Sequence, residues 1–251
     1  MIGIFDSGVG GLTVMKAIRE ELPSSDILYF GDIKNAPYGE RSREELSVLT
    51  MQAIELLRAR GADRMVSACN SLSASLAVSL FDAFEMTPDR LIEMVGPTVS
   101  YFRGTSVKVT LVATPATVQS GMYQNAFRMI GKDVEAIAMP GLAGAIEFGR
   151  NEKEIEDMIR EEMQNHSVGD VLILACTHYP LVREVFQKVV GEKVEVFDPA
   201  EAVAERAKKL FWPQEVKSGH TQFIISKDSE TFRKLVARNF TDSAYEIEVL
   251  K

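Results

Sequence analysis

Cysteine and histidine are scarce in this chain, at two and three in 251 residues. No CxxC pair occurs, so the close ligand spacing of a structural zinc site is missing, and Cys69, Cys176 and His178 make a poor zinc set. Two cysteines allow one disulfide at most, and a reducing cytosol disfavours that, so free thiols are expected. Positive charge is not in excess. Lys and Arg number 28 against 36 Asp and Glu, and the net charge of −8 repels phosphate backbones and anionic lipid. Nor is there a run of about eighteen apolar residues, and the opening MIGIFDSGVGG lacks the basic segment and long apolar run of a signal sequence. The expectation is a cytoplasmic protein with a small-molecule ligand and with neither nucleic acid nor membrane as partner.

What the chain does contain is a β/α rhythm. Short apolar runs alternate with amphipathic stretches: Ile2 to Phe5 then Leu12 to Leu22, Ile27 to Phe30 then Arg43 to Arg60, Met65 to Ala68 then Ser73 to Phe84. Mostly parallel strands with helical crossovers follow from that pattern. The rhythm restarts after Gly96-Pro97, with strands predicted at Val107 to Ala113, Val134 to Ala138 and Val171 to Ala175. Helices are predicted at Val118 to Ile130, Glu152 to Asn165 and Pro180 to Val190. Asp6-Ser7-Gly8 follows the first strand of the first pass and Thr114-Pro115-Ala116 that of the second, 108 positions later, and the cysteines lie 107 apart. Two landmarks at nearly one offset point to related halves.

Strand-like Val194 to Phe197, a helix to Leu210 and a crossing at Trp212-Pro213 lead into a tail. That tail, with Gln222 to Ile225 and Ser229 to Phe240, has no counterpart in the second pass and is expected to return to the first. The expected fold is therefore α/β with two pseudo-symmetric lobes, residues 1–96 plus 208–251 and residues 97–207. Each has a mostly parallel sheet flanked by helices, and the active site lies between the lobes, beyond the carboxyl ends of the strands.

The two cysteines sit in similar settings, MVSACNSLSA from Met65 and LILACTHYPL from Leu172. Each thiol falls at a strand-to-helix turn, where backbone N–H groups favour anions and should lower a thiol pKa. A free cysteine is only about 3% thiolate at pH 7, so a thiol acting as a base needs such help. One such cysteine alone reads as an inert core residue. Two matched ones flanking a pocket suit the transfer of a proton from one face of a carbon to the other.

His178 stands near enough in sequence to assist Cys176 or to cap the turn, and Asn70, Ser71 and Thr177 offer donors to a carboxylate. Asp6 precedes the loop Ser7 to Gly11, whose glycines let backbone approach a ligand closely; GVGG matches neither the dinucleotide fingerprint nor the P-loop. Asp32 ends a strand and reads equally as a turn residue. Pro37-Tyr38-Gly39 is a turn that presents N–H groups and a phenol. His166 and His220 belong to the surface. A Cys/His hydrolase with Cys176 as nucleophile is an alternative, but it leaves Cys69 without a role.

Five segments, GIFDSGVGGLTV from Gly3, YFGDIKNAPYGERS from Tyr29, ACNS from Ala68, VATPATVQSGMY from Val112 and ACTHYPL from Ala175, carry a resemblance. Together they resemble the cofactor-independent glutamate racemases, within the wider aspartate/glutamate racemase superfamily, over nearly the whole chain. The resemblance implies that Cys69 and Cys176 are the acid/base thiols, that Asp6 and His178 tune them, and that Glu147 is a further acidic catalytic position. It implies substrate binding by Ser7, Pro37, Tyr38, Gly39, Asn70, Ser71, Thr114, Thr117 and Thr177, with no cofactor and no metal. An amino-acid substrate, a homodimer and supply of D-glutamate for peptidoglycan are implied as well. The chain departs from the family pattern at Ser71, where Thr is usual, at Leu72, in the small-residue stretch Pro140 to Glu147, and at Ser226-Lys227-Asp228. Aspartate-, hydantoin- or malonate-type substrates on the same fold, or a non-catalytic amino-acid-binding protein, are the other readings.

Overall fold

Ten strands form two sheets in the computed structural model, which describes residues 1–75, 87, 89–211, 218–241 and 244–250. The first sheet holds β1 (Ile2–Asp6), β2 (Ile27–Gly31), β3 (Arg64–Ser67), β4 (Leu91–Ile92), β9 (Thr221–Ile225) and β10 (Tyr245–Val249), in the order β10-β9-β2-β1-β3-β4. The second holds β5 (Val109–Ala113), β6 (Val134–Ala138), β7 (Val171–Ala175) and β8 (Glu195–Phe197), in the order β6-β5-β7-β8. Every strand pairing among the described residues is parallel. The unit β2-β1-β3-β4 therefore repeats as β6-β5-β7-β8, with β1 matching β5 and β3 matching β7. β1, β2, β5 and β7 are buried at every position, as strands covered by helices on both faces must be.

Local chemistry explains where the helices differ from the sequence pattern. Gly96-Pro97, read as a break, lies inside a helix, Val95–Tyr101; in a first turn the missing proline N–H forfeits no helical bond. The stretch Val118 to Ile130 is two helices, Pro115–Ser120 and Met122–Met129, separated at Gly121 with φ +66°. Pro180 to Val190 opens as a 3-10 turn, Tyr179–Val182, before the helix Arg183–Val190. The helix expected from Ser73 begins at Asn70 and is described as Asn70–Ser75; its remainder, 76–84, and the crossing at Trp212-Pro213 lie outside the described residues.

In the tail, β9 inserts between β2 and β10, and the helix Glu230–Asn239 brings Phe232 against Tyr29, with ring centroids 5.9 Å apart. The helix Ala200–Phe211 lies along the seam of the two lobes. Ala200, Val203, Ala204, Ala207 and Phe211 pack into the core under β1 and the helix Leu12–Glu21, while Ala202 joins the core of the second sheet. Among the described residues no helix is long and apolar enough to cross a membrane.

Candidate active site

Residues just beyond four strand ends meet across the seam. Asp6, the last residue of β1, accepts a hydrogen bond from the Thr177 hydroxyl, beyond β7, at 3.0 Å, and from Gly8 N at 2.9 Å. Ser71, beyond β3, lies 2.9 Å from the Thr114 hydroxyl, beyond β5. The glycines of the loop after β1 serve this docking of lobe on lobe, a use the sequence reading did not assign them. A side chain at Gly8 would collide with the Glu147 carboxylate, and a Cβ at Gly10 would stand 2.6 Å from Thr177 Oγ1.

Cys69 and Cys176 are 5% and 6% exposed, one beyond each central strand. Cys69 Sγ lies 4.0 Å from Ser7 Oγ. Burial, then the Asp6 carboxylate, push the Cys69 thiol well above its usual pKa, against the N–H groups of Leu72 and Ser71. This corrects the expectation of a lowered value there: the turn supplies its N–H groups, and desolvation outweighs them. Cys176 Sγ lies 3.8 Å from His178 Nδ1, and His178 Nε2 lies 2.6 Å from Glu147 Oε2. Burial pulls the imidazole down, yet the contacts with Cys176 and Glu147 outweigh it and hold His178 well above its usual value. The same Glu147 oxygen accepts from Val9 N at 3.0 Å, so this pair too is braced from the other lobe. Asp6 is raised by burial, with His178 and the N–H groups of Gly11 and Gly8 pulling the other way.

A cluster of donors lies at the same seam, starting two residues from Cys69. The Ser71, Thr114 and Thr117 hydroxyls stand within 3.4 Å of one another. Asn70 accepts from the Tyr123 hydroxyl at 2.6 Å, while its own Nδ2 is buried without a hydrogen-bond partner among the described residues. A buried amide N–H of that kind is costly unless a ligand or water completes it. Pro37, Tyr38 and Gly39 reach the same seam. Ala116 N donates to Gly39 O, and Gly141 N to Glu40 Oε1, both at 2.9 Å. Tyr38 is buried and donates to Asp32, and burial followed by that carboxylate pushes its phenol upward.

All fourteen expected site residues thus gather at one seam, on the networks just described or lining it. Asp32, read equally as a turn residue, takes that part: it also accepts from Asn35 and, at 2.6 Å, from the Ser226 hydroxyl of the tail, so it fixes the Tyr38 turn. Sequence reasoning missed two tyrosines that hold the site residues. Tyr29 donates to Gly8 O at 2.7 Å, and Tyr123 orients Asn70. A buried tyrosine on a core face carries no sequence signal that separates its hydroxyl's task from its ring's. Among the described residues no three His, Cys, Asp or Glu side chains are grouped to hold a metal ion.

The two thiols stand just beyond matching strands of an α/β fold, Cys69 in the field of the Asp6 carboxylate and Cys176 beside the His178 imidazole. Residues 2–207 match the Asp/Glu/Hydantoin racemase family, and the chain belongs to it. It is similar to a glutamate racemase of Ruegeria sp. (strain TM1040), 40% identical over 81% of this chain and 82% of that protein. In structure it resembles the glutamate racemase isoform RacE1 of Bacillus anthracis, with TM-score 0.86 and 27% identity over 100% of this chain and 97% of that one. It also resembles the Francisella tularensis glutamate racemase solved in complex with D-glutamate, with TM-score 0.85 and 26% identity over the same shares. Within the family, these relatives are glutamate racemases.

Proposed function

We propose that this protein interconverts L- and D-glutamate by cofactor-independent proton transfer at the α-carbon. The observation that carries the reading is that Cys69 and Cys176, one just beyond a central strand of each sheet, are both buried at the seam that holds the Ser71, Thr114 and Thr117 hydroxyls and an Asn70 amide with no partner among the described residues. One thiolate removes the α-proton, and the electron pair stays on the α-carbon and spreads into the carboxylate. The opposite thiol gives its proton to the other face and becomes the thiolate, so no co-reactant is consumed. Asn70, Ser71, Thr114, Thr117, Thr177, Ser7 and the Pro37-Tyr38-Gly39 turn hold the substrate. Fixed donors in a water-poor site take the place of a cofactor's electron sink. Asp6 bears on Cys69, and the His178–Glu147 pair on Cys176.

The two lobes of this reading are residues 1–96 plus 208–251 and residues 97–207; the second boundary runs through the seam helix Ala200–Phe211. Glutamate is supported by the names of the relatives and by the D-glutamate bound to the Francisella protein. The reading includes a cytoplasmic location, a homodimer and supply of D-glutamate for peptidoglycan, each resting on the resemblance.

The test is incubation of the reduced protein with L-glutamate in D2O without pyridoxal phosphate, following chirality and α-deuterium together. α-Deuterated D-glutamate is expected. Binding of glutamate without exchange would leave a binding protein; exchange on aspartate, a hydantoin or a malonate alone would move the substrate; an acyl-enzyme seen by intact mass would mark the hydrolase.

A further inference from the structure

A cavity of about 330 Å³ opens between the lobes beside the thiol site. Arg41, Ser42, Arg43 and Leu46 line it from the first lobe, and Ala116, Gln119, Ser120 and Met122 from the second. Its size falls within the range of small-molecule sites, about 300–1,000 Å³. Its inner wall is Ser71, two residues from Cys69 and in contact with Thr114 and Thr117. Leu46 is buried, whereas Arg43, Gln119 and Ser120 are exposed, so the cavity runs from solvent to the donor cluster. Two other cavities, of about 470 and 440 Å³, are lined by none of the proposed site residues.

The two arginines differ. Arg41 is engaged, donating to the Asn35 carbonyl at 2.6 and 3.0 Å and pairing with Glu45 at 3.2 Å. Arg43, the first residue of the helix Arg43–Ala59, has no hydrogen-bond or ion-pair partner for its guanidinium among the described residues. It places an uncompensated positive charge at the outer rim of a cavity on a protein of net charge −8. We propose that this cavity is the port through which an anionic amino acid reaches the thiols, and that Arg43 draws it in. The choice of an amino acid rests on the function proposed above; the port itself needs only an anion. A local cation at the mouth of a passage offsets the repulsion of the whole molecule and raises the rate of capture, an effect that salt weakens.

The protein's only two cysteines, both buried, make its thiols reporters of passage. Full-length reduced protein is alkylated with iodoacetate, an anion, and with neutral iodoacetamide, and both rates are followed by intact mass at low and high salt. Relative to wild type, R43A should slow iodoacetate about threefold and R43E about tenfold, with iodoacetamide unchanged and with a flatter salt dependence. R43K should keep most of the wild-type preference. An acidic residue in a first helical turn favours the helix, so R43E preserves the fold locally. K153A, at an exposed residue of the second lobe, controls for net charge alone.

With glutamate as substrate, the same two variants should lose kcat/KM by similar factors in both directions while kcat stays within about twofold. Unchanged iodoacetate rates in both R43A and R43E would overturn the port. Charge-selective alkylation in a protein that racemises no glutamate would instead overturn the proposed substrate and leave the port standing for another anion.

Discussion

The corner that holds Cys69 and the corner that holds Cys176 stand on corresponding strands, β3 and β7, yet their thiols meet different electrostatics. Asp6 bears on Cys69 as a carboxylate and helps to keep its proton in place. Cys176 faces an imidazole that is itself backed by Glu147. A strand end decides where a sulfur sits, whereas side chains arriving from other elements decide its protonation. In the proposed two-way proton transfer an acid and a base must be present together, and the repeated backbone gives the two sulfurs unlike neighbours.

The largest effect expected, and the sharpest way to break this comparison, comes from removing either sulfur. C69A and C176A should each lose racemisation by about 10³-fold or more, while each still exchanges the α-proton of one enantiomer, and the two variants should choose opposite enantiomers. Deuterium wash-in measured separately on L- and D-glutamate decides it; the same enantiomer in both variants would mean the corners do not face opposite sides of the substrate.

Next in size is the asymmetry contributed by the tail. Phe232 is fully buried against Tyr29 and Phe223, and F232A should remove about 3–5 kcal/mol in urea unfolding. Hydrogen exchange should rise first in β2 and β9 and stay slow in β5 and β7. Equal acceleration in both sheets would show that the lobes do not differ in this way.

D6N and H178N should each cost about 10²-fold in rate, with opposite bias. Because the overall equilibrium fixes the ratio of the two kcat/KM values, the bias is read in single-enantiomer exchange: D6N weighs on the step served by Cys69, and H178N on that served by Cys176.

The smallest expected effect is on stability against pH. His178 holds its proton more tightly in the folded protein than in the unfolded chain. Its contribution is therefore complete below about pH 6.5 and is lost as pH rises through the higher folded value. H178N should flatten that alkaline decline in the urea midpoint; an unchanged slope would assign it to another group.

Much of this arrangement was legible because apolar runs such as Ile2 to Phe5 and Val171 to Ala175 are long enough to mark buried parallel strands. β4, two residues long, and the helix Leu142–Glu147, six, fall below the length at which periodicity speaks. β10 alternates in YEIEV, but an edge strand shows its neighbours only in three dimensions. At the site, motif spacing located both thiols. It could not weigh burial against the turn at Cys69, nor show that Glu147 accepts from Val9 N, 138 residues away. The Asp32–Ser226 bond spans 194 residues and was equally out of reach.

That bond has a consequence for how a cell makes the protein. Synthesis runs from the N-terminus, so every strand of the second sheet has been polymerised by Phe197, while β9 appears only from Thr221. In the interval β2 has an open flank, a template for pairing with other nascent chains, and Asp32 and Lys34 N lack the Ser226 hydroxyl that ties them. The stretch made after the second sheet is the one that both covers the flank of β2 and sets the turn carrying Tyr38. A chain stalled before it should therefore be inactive, sticky and in need of a chaperone, even though both of its cysteines have already been made.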